Sequence, residues 1–311
     1  MPHAESAPPR GLKLRHLEVL LIISRAGSLT AAAEMLRMSQ PAVSQLLADI
    51  EAALGVPLFL RGRRLQPTPY ADPVLYHAER ILNDTRRVQQ EIAAIRDGAI
   101  GLVRVGTMMV GASGLLPNII RRIRDDDSPV RLTVVEDIAA GLWSRFERNE
   151  LDVIIGRLDD VVAGSGCMRE ALHRDSYNVV CGPQHPLASR EHHTWADTMR
   201  FPWIMPPAPT PLRQAIEATF RNAGLALPNV WLDSVSFTTN QVLLRETECL
   251  AVMSHAAARW YGALNLVREL PLELAVDLRE VSMVWNDPKP GPALQRVLAA
   301  LREESRRMRG T

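Results

Sequence analysis

Residues 28–54, SLTAAAEMLRMSQPAVSQLLADIEAAL, restrict the fold more than any other stretch, because they spell two helices with a sharp joint between them. Leu29, Ala32, Ala33 and Leu36 share one face at helical spacing. Ser28 precedes them as an N-cap whose hydroxyl can accept an orphan backbone N–H. Val43, Leu46, Leu47, Ile50 and Leu54 form the buried stripe of the second helix. Ser39 can cap it, and Pro41 occupies its first turn, where a missing N–H costs nothing. Gln40, Ser44 and Gln45 then point away from the stripe at the N-terminal end, as in a helix that enters the major groove. A glutamine amide matches the N6/N7 edge of adenine, serine hydroxyls suit base or phosphate, and Pro41 and Ala42 offer apolar contact to a thymine methyl. The same spacing also describes a plain helical hairpin with a solvated polar face.

The run SQPAVSQLLADIEAALGVPLFLR, followed by LQPT, closely resembles the N-terminal signature of LysR-type transcriptional regulators. In that family SQPAxS opens the recognition helix, LExxLGxxLFxR closes it, and a wing ends in a Leu-x-Pro-Thr turn. The resemblance covers about residues 14–97. It implies DNA contacts from Thr30, Arg37, Ser39, Gln40, Pro41, Ala42, Ser44 and Gln45. Two positions depart from the pattern. Gln45 stands where the family usually has Arg or Lys, and Tyr70-Ala71 replaces the customary Ala-Gly after the wing.

With 311 residues the chain has room for two or three domains, and 47% apolar residues permit a sizeable core. A net charge of +1 neither demands nor excludes nucleic acid, so the location of charge matters more. Arg61, Arg63 and Arg64 follow the helix pair closely and make a local basic cluster that can clamp phosphate. The first residues have neither the basic start nor the apolar run of a signal peptide, and no stretch has the length of a membrane span. Cys167, Cys181 and Cys249 are widely spaced and contain no CxxC, which argues against a disulfide framework or zinc site. A cytoplasmic protein without membrane contact is expected.

In chain order, residues 1–11 read as a disordered lead-in and 12–69 as a winged helix-turn-helix domain. Leu14, Leu17, Leu20 and Leu21 give the first helix its apolar face, Gly27 and Gly55 break helices, and 57–69 read as two extended arms around Gly62. Residues 70–97 read as one long linker helix. Its a positions are Ala71, Ala78, Thr85 and Ile92, and its d positions Val74, Ile81, Val88 and Ile95. So narrow a seam is best buried by a second helix, which predicts a dimer; the alternative is docking on its own domain. Beyond Asp97-Gly98 strands and helices alternate, the pattern of a parallel sheet. Strands are expected at 102–106, 131–136, 152–156, 177–182, 203–205, 230–232, 250–253 and 278–285, and a closing helix at 294–307.

Chain crossings near 172 and 277 suggest a two-lobed α/β effector domain over 98–311, periplasmic-binding-protein-like. Lobe I takes about 98–172 and 277–311, lobe II about 173–276, and the overall class is α+β multi-domain. This resembles the sensor domain of LysR-type regulators. Ligands of open α/β sheets sit at the carboxyl ends of the strands. Three such loops carry the candidate effector residues: Thr107, Met108, Met109, Val110 and Ser113; Thr210 and Arg213; and Phe237, Thr238 and Thr239. Helix N-termini there suit an acid, and the methionines suit a partly apolar one. His192-His193 lacks spaced partners for a metal, and no Gly-rich phosphate loop or nucleophile elbow occurs, so neither cofactor nor catalytic residue is assigned.

The expectation is a DNA-binding regulator that reads dyad duplex DNA and answers to a small organic acid. The resemblance further implies a dimer of dimers, with RNA polymerase as a candidate partner and a weak lean toward the branch governing aromatic-acid or sugar catabolism. The alternatives are a ligand-independent regulator, a redox-responsive one using Cys167 and Cys181, and an enzyme working in the α/β cleft.

Overall fold

The computed structural model describes residues 11–60, 62, 65–125, 129–158, 166–274 and 280–309. Arg61, Arg63, Arg64, Asp126, Asp127, the lead-in up to residue 10 and the expected start of a strand at Leu278 lie outside the described residues. The chain forms two compact units, Met1–Gly98 with Ser144–Leu151, and Ala99–Trp143 with Asp152–Thr311.

The first unit holds α1 (Leu14–Ala26), α2 (Leu29–Leu36), α3 (Gln40–Leu54), the strands β1 (Phe59–Leu60) and β2 (Gln66–Pro67), and α4 (Ala71–Arg96). Ser28 Oγ accepts from Ala31 N–H at 3.2 Å, and Ser39 Oγ from Ala42 N–H at 3.4 Å, so both expected caps form. Gly27 and Gly55 end α1 and α3 at φ 67° and 73°, a left-handed conformation that a side chain resists. Val19, Leu20, Ile23, Val43, Leu47, Ile50 and Leu58 close the core where the three helices meet. Each contributes roughly 1.5–3 kcal/mol through burial. Leu14, expected on the apolar face of α1, is instead exposed, and Val19 and Ile23 take part in the core in its place. The Glu51 carboxylate accepts from Leu58 N–H at 2.7 Å and Phe59 N–H at 3.1 Å, which pins the root of the wing to the end of α3.

The apolar seam of α4 divides in two. Ala78 is buried with Leu82 against Leu17 and Leu21 of α1, while Ala71 and Val74 join the core of the helix pair. The first half of the seam therefore docks on its own domain. Further along, Ile81, Val88, Ile92 and Ile95 are 43%, 57%, 53% and 59% exposed, an apolar row open to solvent over about half of its surface.

The second unit contains β3 (Gly101–Thr107), α5 (Met109–Gly114), α6 (Leu116–Asp125), β4 (Val130–Glu136), β5 (Val153–Gly156) and β6 (Met168–His173). The helix α7 (Ala139–Glu147) runs across the boundary between the units. Then come β7 (Tyr177–Cys181), a 3-10 helix (Trp195–Arg200), β8 (Trp203–Met205), α8 (Pro211–Asn222), β9 (Val230–Asp233), α9 (Phe237–Glu246) and β10 (Leu250–Ser254). Last are α10 (His255–Ala263), β11 (Arg268–Glu273), β12 (Val281–Trp285) and α11 (Pro292–Arg309). The strands form two five-stranded sheets, ordered β4-β3-β5-β12-β6 and β11-β7-β10-β8-β9.

Neither sheet is the purely parallel one that the alternation suggested. β12 runs antiparallel to β5 and β6, and β7 antiparallel to β10 and β11. These antiparallel pairings arise where the chain passes between lobes: β6 leaves the first sheet, β7 opens the second, and β12 returns to the first. The parallel cores are β4-β3-β5 and β10-β8-β9.

His185, buried beside Phe201 in the second lobe, accepts from Leu187 N–H at Nδ1 (3.0 Å), so its proton sits on Nε2, facing Glu248 O at 3.2 Å. Burial holds its pKa below the ordinary 6.5. As pH falls through that ordinary value, the unfolded chain takes up the proton first, and stability drops until the folded-state value is passed. Urea midpoints should fall between pH 7 and 5, and His185→Gln should flatten that fall. Equal slopes in both proteins would refute the assignment.

Candidate nucleic-acid interface and effector cleft

In the first unit, Thr30, Arg37, Ser39, Gln40, Pro41 and Gln45 are exposed, and Ala42 and Ser44 half-buried. Gln40, Pro41, Ser44 and Gln45 occupy adjacent positions on the first two turns of α3, the surface that helical spacing assigns to the groove. Arg37 closes α2 with φ 53°, its N–H bonded to Ala33 O and Glu34 O, so the tight joint between the helices is built on a non-glycine residue in left-handed conformation. One contact was not anticipated from sequence: Gln45 Nε2 donates to Asp49 Oδ1 at 2.8 Å.

In the second unit the carboxyl ends of β3, β4 and β5 present Thr107, Glu136 and Gly156, and those of β8, β9 and β10 present Met205, Asp233 and Ser254. The lobes meet where α5 packs on α10, with a Cβ at Gly114 placed 3.5 Å from Ala256 Cβ. Arg157, just past β5, donates to the Asp175 carbonyl and lies 4.8 Å over the Tyr177 ring, tying the first lobe to the strand that opens the second. Desolvation pushes the nearby Asp175 carboxyl up, and Arg157 opposes that rise.

The expected effector residues fall on these edges, with several already engaged. Thr107 is fully buried and donates to Met108 O at 3.0 Å; a Cβ on Gly111 would come within 2.6 Å of its hydroxyl. Met108 lies over Gly156, and Met109 is half-buried. The side chains of Val110 and Ser113 lie outside those described. Thr210 caps α8, accepting from Arg213 N–H at 3.4 Å. The Arg213 guanidinium is held by Glu217 at 2.7 Å, Asp233 at 2.7 Å and Pro206 O at 3.1 Å. Ser236 caps α9 and hydrogen-bonds Thr239 Oγ1 at 2.8 Å, leaving Thr238 and Thr239 exposed and Phe237 against the Tyr261 ring at 4.3 Å.

Tyr261 was missed because α10 was not read as a helix, although the stretch AAARWYGA following Ser254 carries a cap and helix formers. Its hydroxyl is pushed above the ordinary phenol value by burial and, next, by Glu136 of the other lobe. Tyr261 thus lies within electrostatic range of Glu136 at the end of β4. Burial pushes the Cys181 thiol up to about 12, which leaves little thiolate for redox chemistry there. Among the described residues no group of three His, Cys, Asp or Glu is placed to hold a metal, and no helix is long and apolar enough to cross a membrane.

A capped helix pair with a wing, joined by a long helix to a two-lobed α/β sensor unit, defines a one-component DNA-binding regulator. Residues 96–306 match the LysR substrate binding domain, and residues 14–72 the bacterial regulatory helix-turn-helix protein of the lysR family. The chain belongs to the LysR family of helix-turn-helix transcriptional regulators. It is 31% identical over 297 residues to the HTH-type transcriptional regulator GbpR of Azospirillum brasilense, covering 94% of this chain and 87% of that one. It is 27% identical over 302 residues to PcaQ of Agrobacterium fabrum, covering 94% of each. In fold it is similar to CbnR, a LysR family transcriptional regulator (TM-score 0.67, 17% identity, 94% of this chain and 99% of that one). It is also similar to full-length CbnR complexed with its target DNA (TM-score 0.68, 17% identity, 94% and 100%).

Proposed function

We propose that this regulator acts in the cytoplasm as a homodimer joined through the exposed half of the α4 seam, able to pair further into a tetramer. Two copies of α3 read the half-sites of a dyad operator, and a small organic acid in the cleft sets their spacing. RNA polymerase is the candidate downstream partner. The observation that carries the reading is the capped α3 with Gln40, Pro41, Ser44 and Gln45 on its outer surface. A dyad operator calls for two such helices related by a two-fold axis, and the half-exposed apolar row on α4 supplies a place to join them.

For the effector, the N-terminus of the ten-residue α9 favours a carboxylate, with Thr238 and Thr239 beside it. Phe237, Tyr261 and Met108 suit an apolar body. Glu136 on the opposite lobe repels an anion, so the acid group points toward the second lobe. Such a ligand switches the protein only by binding one lobe arrangement more tightly than the other. A thermal shift screen of the full chain against aromatic acids, hydroxy acids and sugars tests this. A rise of several degrees with an acid is expected from mass action. A flat screen on folded protein overturns the effector reading, and hits confined to neutral sugars overturn its acidic character.

A further inference from the structure

The recognition helix carries an acid where a groove-facing surface gains most from neutral or basic groups. Pro41, Gln45 and Asp49 follow one another at four-residue steps along the exposed side of α3, each step a rise of about 6 Å. The Gln45 side chain donates through Nε2 to Asp49 Oδ1 at 2.8 Å. That orientation is chemically forced: an ionised carboxylate only accepts, so the amide must turn its nitrogen toward Asp49 and its oxygen away. In isolation a glutamine side chain turns either end of its amide toward a base. Here one of the two is removed.

We infer that Asp49 is a positioning residue for base recognition. It locks Gln45 so that Oε1 is offered to the groove as an acceptor, with the second Nε2–H beside it. That pair matches a base whose major-groove edge has an exocyclic amine next to an acceptor, which is adenine with N6 and N7. Guanine and thymine present O6 or O4 where the amine would have to be, and so meet oxygen with oxygen. The inference rests on the reading of α3 as the groove helix and adds the base that one position selects. Asp49 has a second effect through its charge. An anion on the DNA-facing helix opposes phosphate, lowering affinity for all sequences and leaving discrimination to the amide. A Gln–Asp pair at this spacing on a helix that met no DNA would add only slight helix stability.

The test is selection of binding sites by the full chain from randomised duplex DNA, comparing the parent with Asp49→Ala, Asp49→Asn and Gln45→Ala. The parent should enrich a dyad motif with one adenine-preferring position in each half-site. Asp49→Ala should relax that position at least about fivefold with the other positions unchanged, and Gln45→Ala should relax the same one. Asn can accept the amide hydrogen bond but can also donate one, so it no longer forces the orientation, and Asp49→Asn should show an adenine preference between those of the parent and Asp49→Ala. Both Asp49 variants should bind scrambled duplex about threefold more tightly as the acid is removed. An unchanged motif in Asp49→Ala, a uniform loss at all positions, or a guanine or thymine at the Gln45-dependent position would each overturn the positioning role. A folded parent that enriches no motif would overturn the groove-helix reading beneath it.

Discussion

Replacing Val88 and Ile92 together by glutamate is expected to abolish the proposed dimer, leaving a monomer in sedimentation, and to weaken operator binding about a hundredfold or more. Both residues are more than half exposed on α4, and neither belongs to the buried core. In a two-fold pairing through this row, however, four carboxylates would enter one apolar seam, where desolvation and mutual repulsion both oppose association. Losing the pairing turns two linked half-site contacts into independent ones, and linkage of this kind multiplies affinity by about 10²–10⁴. The helical content of the variant should match the parent. A sedimentation coefficient unchanged from the parent's would show that the row is not the dimer contact.

The second large effect belongs to Gly182→Ala. Gly182 directly follows β7, and a Cβ there would lie 2.0 Å from Leu244 O and 3.0 Å from Leu244 C. The obstacle is backbone of α9, so no side chain can swing aside. Either α9 or the turn at Gly182 must move, which disturbs the cluster of Val180, Ile204, Leu244, Cys249 and Met253. Overpacking a close-fitted core costs about 1–3 kcal/mol and sometimes more, and a backbone collision belongs at the upper end. In a unit of this size that lowers the midpoint of thermal unfolding by roughly 6–12 °C. Because α9 carries Phe237 at its start, any cleft ligand should also bind more weakly. A midpoint within a degree of the parent would show that the backbone yields more easily than the geometry implies.

The helix pair was legible in the sequence because several local signals coincide there. Ser28 and Ser39 cap, Gly27 and Gly55 terminate, and the buried stripe of α3 lies at the expected positions. The parallel strands were legible for the same reason: LVRVG and DVIIG are apolar runs between turn residues. What escaped were elements whose partners are distant. Met168–His173 contains Arg and Glu and lacks a clean alternation, and Arg268–Glu273 alternates at Leu270 and Leu272 but is interrupted by Pro271; they become strands by pairing with β12 and β7. Periodicity in α4 specified a seam without saying what covers it; only the packing of Leu17 and Leu21 separates its docked half from its exposed half. At the cleft the loops could be read, but the engagement of Arg213 by Glu217 and Asp233 depends on residues from two different elements. The Gln45–Asp49 bond spans four residues of one helix and was accessible to inspection at that spacing.

The insertion of β12 between β5 and β6 sets the order in which the chain can fold as it leaves the ribosome. The helix-turn-helix core and its wing root draw on a continuous early stretch, and the second sheet on the continuous stretch from Tyr177 to Glu273. The first sheet lacks one of its internal strands until Val281–Trp285 has been made, and α11 then covers it with Val297, Leu298 and Leu301. Its early strands, including β5, must therefore wait with one edge unpaired through the synthesis of the entire second lobe. The DNA-reading head is complete long before the lobe that completes the sensor, so translation produces the reader before the control.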